Sequence, residues 1–381
     1  MRKYQPIFCI CVLSAALMAA LAISPGLHEL MASYKVSEST VSLSITLPYL
    51  VSIPFTLLAG RLSARCSKKG LSLIGLMIIC ITGLLPYVLR QFTAVLAVRA
   101  MMGIGLGLLF TIAPSLAPDY YEEGRMRNLG IGMQSAWAGS GGFVFNILSG
   151  YLVQTQARNI FLVYGICAAF FLLILFLLPY QPPRARPAHK TRSLFGFQSL
   201  FLALLTFLFL SAGMTLSLSI SVYLAERGLG RSIEAGYATS AYSAAAFLTG
   251  CLYVFVAKAL KDRSVLSACA ISALGMLLCV LAGRMLLIYI GAALIGAGLS
   301  IFMPSCVNRI IQSAPAESAS MGIAVMMVGS AVGQTFSAAL INPISAAFSK
   351  STSMRFLVSA VIFVIVGLLS LYQGRNQKAI R

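Results

Sequence analysis

The chain has 381 residues, 59% of them hydrophobic and only 10% charged, where an ordinary soluble domain carries about a quarter. With a mean hydropathy of +0.91, that composition excludes a soluble enzyme. The 28 Lys and Arg against 9 Asp and Glu leave a net charge of +19, but the basic residues punctuate apolar runs, a pattern that belongs to a bilayer and not to nucleic acid.

Apolar stretches of span length are predicted at 6–27, 40–60, 71–89, 91–113, 128–150, 159–179, 198–222, 235–257, 264–283, 285–306, 320–341 and 355–372, twelve in all. Arg2 and Lys3 ahead of the first stretch resemble the start of a signal peptide; the continuing spans favour a retained first helix. Between the sixth and seventh stretches, "QPPRARPAHKTR" at 181–192 breaks the pattern with three prolines and a basic cluster. The expected organisation is an all-α membrane protein with an N-terminal six-helix bundle at 1–180, a cytoplasmic linker at 181–197 and a C-terminal six-helix bundle at 198–381. One side of the spans collects 19 Lys and Arg, the other 8, and Arg99 remains inside span four. Cationic loops stay in the cytoplasm, so both termini and the linker are expected there, in a plasma (inner) membrane.

The halves repeat. "GLGLLFTIAPS" at Gly105 is echoed by "GAGLSIFMPS" at Gly296, and "GMQSAWAGS" at Gly132 by "GIAVMMVGS" at Gly322, an offset of 190 or 191. The nine cysteines are scattered as small apolar residues, and the only histidines are His28 and His189. Without C-x-x-C pairs or clustered histidines, no metal and no cofactor is expected. "GIGLG" at 103–107 lies in a span and opens no βα turn, and no phosphate loop is present, which disfavours an ATP-driven machine.

The loop after span two, "GRLSARCSKK", resembles the G-x-L-x-D-R-x-G-R/K-R/K signature of the major facilitator superfamily through Gly60, Leu62, Arg65, Lys68 and Lys69. Ala64 stands where the family has an acid, and Ser67 where it has the second glycine. A pseudo-repeat, "KALKDR", keeps Asp262 and Arg263 but has Lys258 in place of glycine. Arg99, Gly103 and Gly105 match a second family motif, R-x-x-x-G-x-G. Gly132, Gly141 and Gly150 match part of a third, the antiporter motif of exporters, in which Phe145, Asn146 and Ser149 replace the Gly-Pro pair and another glycine. The resemblance implies twelve transmembrane helices in two pseudo-symmetric bundles around a central cavity. It also implies a transporter working by alternating access, most similar to bacterial drug or metabolite exporters. The basic loop would latch the cytoplasmic side, although positive-inside topology alone accounts for Lys68 and Lys69.

Candidate substrate or coupling residues are the polar groups inside spans. Arg99 lies about 12 Å from the outer boundary at 1.5 Å per residue, where a cation is costly and functional by default. Glu29, beside His28, is the acid nearest the membrane interior and the expected partner of Arg99. Gln134 and Trp137, the only tryptophan, share one face of span five. Asn146, Tyr49, Tyr237, Tyr242 and Gln334 complete the set. Gly103, Gly107, Gly132, Gly141, Gly150, Gly329 and Gly333, with Gly105, are expected to let helices approach closely. Three readings stand at this stage. The first is proton-coupled efflux of a small organic solute, with Arg99 and Glu29 in the coupling. The second is uptake or exchange of a small anion with Arg99 as counter-ion, and the third a membrane sensor that does not transport. In each the expected partners are a small molecule, protons and the lipid bilayer, without nucleic acid, and one chain suffices as a monomer.

Overall fold

A computed structural model describes residues 4–63, 65–121, 125–182, 197–260, 263–313, 316–349 and 351–380. Among them every regular element is a helix: α1 (Gln5–Ala16), α2 (Leu27–Tyr34), α3 (Glu38–Leu62), α4 (Lys68–Leu84), α5 (Phe92–Tyr120), α6 (Arg125–Leu152), α7 (Ile166–Leu177), α8 (Phe197–Arg227), α9 (Ser232–Cys251), α10 (Tyr253–Leu260), α11 (Ser264–Leu281), α12 (Met285–Ser313), α13 (Ala316–Phe348) and α14 (Thr352–Ile380). Each of the twelve expected stretches falls in a helical run. Ten of these runs are long and apolar enough to cross a membrane. The other two contain α6 and α9. Among the described residues α6 carries Gln134 and Asn146, whereas α9 carries Glu234, Thr239, Ser240 and Ser243 and stops before Leu252.

The first span is not the uninterrupted helix that its apolar run suggests. After α1 the chain tightens into 3₁₀ turns at Leu17–Leu21 and Ser24–Gly26 before α2 resumes. Pro25 has no amide hydrogen to donate, and Gly26 is a weak helix former. α2 ends at Lys35, which takes the left-handed conformation (φ 52°) and donates its N–H to Met31 O. The sixth span likewise begins as a 3₁₀ stretch, Ala157–Gly165, ahead of α7.

The chain divides into two compact units, Met1–His189 with Arg231–Ser240, and Lys190–Gly230 with Ala241–Arg381. In the first, α3 packs along α5, α4 bridges α5 and α7, and α1 lies against α6. Its largest fully buried side chains include Arg99, Tyr49, Tyr164, Phe145 and Phe161. In the second, α8 packs along α13 and α14, and α11 along α12 and α14. Its core is aromatic: Phe209 of α8 stacks on Phe302 of α12 at 3.9 Å between centroids, 10° from parallel, and tilts against Phe363 of α14 at 4.8 Å.

Candidate functional site

Arg99 sits in the middle of the first unit with no exposed surface, and protein atoms receive its donors. Nε donates to Ser44 O at 2.8 Å, Nη2 to Ala20 O at 2.8 Å, and Nη1 to the Tyr164 hydroxyl and, at 3.3 Å, to Met102 Sδ. The guanidinium also lies 5.4 Å from the Tyr164 ring centroid, within cation–π range. Tyr164 passes its own hydroxyl hydrogen to Ala19 O at 2.7 Å. Gly83 makes room for that ring, since a methyl there would meet Tyr164 Cδ1 at 2.6 Å.

Local chain chemistry explains these acceptors. Ser44 O would take the amide hydrogen of residue 48 in a regular α-helix, but residue 48 is Pro48, which has none. Ala19 and Ala20 lie in the 3₁₀ turn where the first span breaks; Ala19 O accepts from Ala22 N at 3.2 Å as well as from Tyr164, and Ala20 O takes its bond from Arg99. A bilayer offers no water to such groups, and the Arg99 fork satisfies two carbonyls and a tyrosine at once.

Glu29 is placed elsewhere. Its Oε1 accepts from the hydroxyl of Ser232, the first residue of α9, while Oε2 is buried without a hydrogen-bond partner among the described residues. No hydrogen bond or ion pair joins Glu29 to Arg99, so the partnership expected from the sequence is not formed. Further along the same seam the hydroxyls of Tyr151 and Tyr237 are hydrogen-bonded, with their rings edge to face at 6.2 Å. Ser240 Oγ donates to Phe143 O at 3.3 Å. A methyl on Gly150 would stand 3.0 Å from Ser232 O, and one on Gly236 2.9 Å from Asn146 O. Glu29, Asn146, Gly150 and Tyr151 therefore gather around Arg231–Ser240, which contains Tyr237, within the first unit. His28 is half-buried beside Glu29.

The remaining candidates are dispersed. Tyr49 is buried in α3 and its ring lies 6.4 Å from that of Phe110. Gln134 and Trp137 are half-buried on α6, and Trp137 Nε1 has no partner among the described residues. Tyr242 and Gln334 belong to the second unit. Gln334 turns back on its own helix, donating to Ser330 Oγ at 3.2 Å.

In the basic loop, Ser67 caps α4 by accepting from Gly70 N at 3.2 Å, so the residue that departs from the family pattern starts the helix. Lys68 Nζ donates to Ser115 O of α5 at 2.9 Å. Gly60 and Leu62 close α3, Arg65 and Arg263 are exposed, and Lys69 is half-buried. Ala64 and Asp262 lie outside the described residues, as do most of the linker and the side chains around Gly132.

The glycines bring backbones together. Methyls at Gly103 and Gly107 would collide with α3 at Pro48 O and, at 2.6 Å, Ser52 O; one at Gly105 would meet Gly75 O of α4 at 2.6 Å. Gly141 abuts Ala15, Gly329 abuts Ala203 and Gly333 abuts Phe207, each against the carbonyl. Sequence reasoning passed over Ser232, Tyr164 and Pro48. Only Pro48 carried a usable signal, a proline inside a span with a carbonyl four residues earlier to be satisfied.

The family model described as Major Facilitator Superfamily matches residues 7–263. No curated protein matches the sequence. The crystal structure of the nucleoside transporter NupG is similar at 11% identity, with a TM-score of 0.80 over 98% of this chain and 99% of that one. A peptide transporter POT structure is similar at 12% identity and a TM-score of 0.77 over 97% of this chain and 94% of that one. A POT family transporter in complex with 5-aminolevulinic acid is similar at 13% identity and a TM-score of 0.74, covering 95% of each chain.

Proposed function

We propose, for a chain that belongs to the major facilitator superfamily and is therefore a multi-pass membrane transporter and not an enzyme, that it moves a small organic solute by proton-coupled alternating access, with Glu29 as the coupling carboxylate. The observation that carries this reading is the state of Glu29. One oxygen is held by Ser232 and the other is buried with no donor facing it, which leaves Oε2 a place for a proton. Coupling needs a group whose proton occupancy favours one conformation over another. Opening the contact with Ser232 would expose the carboxyl and let that proton leave, so proton occupancy and the contact change together.

Arg99 enters as a structural residue. With four of its five N–H groups donating to protein atoms and no exposed surface, the guanidinium has no bidentate face left for an anionic substrate, which weighs against the counter-ion reading. Export, not uptake, is the direction favoured by the partial antiporter motif on α6, and the excess of Lys and Arg on one side favours cytoplasmic termini in the plasma (inner) membrane. The division into bundles at 1–180 and 198–381 completes the proposal.

The test uses proteoliposomes holding a pH indicator, challenged with a panel of organic cations, anions and neutral compounds. Antiport predicts that proton movement accompanies a transported compound in the opposite direction and is lost in Glu29→Gln. Compound flux with no proton movement, or proton movement unchanged in Glu29→Gln, would remove Glu29 from the mechanism.

A further inference from the structure

We infer that Pro48 and Arg99 form one compensated pair, in which the Arg99 side chain supplies to Ser44 O the hydrogen bond that the proline removes from α3. Arg99 thereby acts as a positioning residue for α3 and for the break in the first span. The inference stands apart from the coupling role proposed for Glu29, which neither residue touches in a hydrogen bond.

The geometry is direct. Arg99 Nε reaches Ser44 O at 2.8 Å, and Ser44 is fully buried, out of reach of water. Pro48 is the residue whose amide would otherwise fill that acceptor. α3 crosses α5 closely here, since a methyl on Gly103 would collide with Pro48 O and approach Val51 Cβ at 2.8 Å. The shape of α3 around Pro48 therefore sets how near α5 can come, and Arg99 on α5 reaches back across the contact to make that shape tolerable. Its Nη2 and Nη1 meanwhile hold Ala20 O and Tyr164, fixing the tightened turn of the first span against the same point. An aliphatic side chain at 99 would leave two carbonyls without a donor in a medium that supplies none.

The second half of the chain supplies an independent observation. Gly107 lies against Ser52 O and Gly296 against Tyr242 O. Thr111 Oγ1 donates to Thr56 O at 2.8 Å, and Ser300 Oγ to Ala246 O at 2.7 Å. These equivalences set offsets of 189 on α5 and α12 and 190 on α3 and α9. They place Ala238 at the position of Pro48 and Ile288 at that of Arg99, the latter two residues short of the offset of 191 that pairs Gly105 with Gly296 in the sequence. The proline and the arginine are absent together: where the helix keeps its amide hydrogen, a buried aliphatic residue stands in place of the cation.

A double-mutant cycle on the purified full chain tests the pair. Arg99→Met is expected to lower the Tm, and Pro48→Ala in that background to restore about 2–4 °C by returning an amide hydrogen to Ser44 O. Pro54→Ala is the control, because Arg99 does not contact the carbonyl that Pro54 leaves free, and it is expected to restore nothing. Guanidinium chloride at low millimolar concentration is expected to raise the Tm of Arg99→Ala and not that of wild type. Should Arg99→Met fail to purify, the same cycle runs on Arg99→Lys, with the monodisperse fraction as readout. A lone ammonium cannot bridge Ser44 O and Ala20 O as the fork does. Pro48→Ala and Pro54→Ala behaving alike in the Arg99 background, with no response to guanidinium, would overturn the inference.

Discussion

The two halves of this chain secure equivalent helices by different chemistry. Around α5 the first half relies on a buried guanidinium that ties together the break in the first span, the carbonyl that Pro48 leaves free in α3 and Tyr164. Around α12 the second half relies on Phe209, Phe302 and Phe363 from α8, α12 and α14, and α8 runs unbroken over Phe197–Arg227. The difference follows the backbone. Where the first span breaks beside Pro48, freed carbonyls need a donor that the bilayer does not supply; α12 and α13 also carry prolines, Pro304 and Pro343, inside their helices, but among the described residues no buried arginine stands with them. A cation in the membrane is on this view the consequence of irregular helices nearby, and its presence alone does not mark a binding site.

The largest effects should fall on the two cores. Arg99→Met leaves two buried carbonyls unfilled, and at about 1–3 kcal/mol for each a loss of about 2–6 kcal/mol is expected, read as a lower Tm. Phe302→Ala empties an aromatic stack and should cost about 3–5 kcal/mol. The halves separate on chemical rescue, since guanidinium should restore stability to Arg99→Ala and leave Phe302→Ala unchanged. Rescue of both, or of neither, would dissolve the contrast.

Next come the exchanged backbone features. Ala238→Pro introduces a missing amide at a position with Ile288 in place of a cation, and about 3 kcal/mol or more should be lost. Pro48→Ala, with Arg99 intact, should change stability by less than about 1 kcal/mol, because Ser44 O is bonded in either case. Comparable losses at both sites would show that the arginine does not compensate the proline.

Smaller effects should be shared by both halves. Gly107→Ala and Gly296→Ala push a methyl against a neighbouring backbone carbonyl, and each should cost about 1–3 kcal/mol. Thr111→Val and Ser300→Ala remove one equivalent helix-to-helix hydrogen bond, about 1 kcal/mol apiece. Matching losses within each pair would sharpen the pseudo-symmetry that the offsets describe.

The twelve-helix plan was legible because apolar runs of span length are a direct consequence of bilayer thickness. The breaks were less so. Pro25 and Gly26 are visible in the chain, but the 3₁₀ turn before them at Leu17–Leu21 is made of good helix formers. Arg99 stands out by its depth, yet its role depends on Ser44, Ala20 and Tyr164, contacts separated by 55 to 79 residues that no local pattern reveals. Glu29 was also visible, as an acid next to a span. Its partner Ser232 lies 203 residues away and is one of many serines, so nothing local marked it, and the acid was paired with the nearest cation expected inside a span.

The most direct test of this account compares Glu29→Gln with Arg99→Lys in proteoliposomes, following proton movement driven by a compound that wild type transports and normalising to folded protein. The account predicts that Glu29→Gln uncouples solute flux from protons, whereas Arg99→Lys lowers the yield of folded transporter but leaves the proton coupling of each surviving molecule intact. Coupling lost in Arg99→Lys and retained in Glu29→Gln would contradict it.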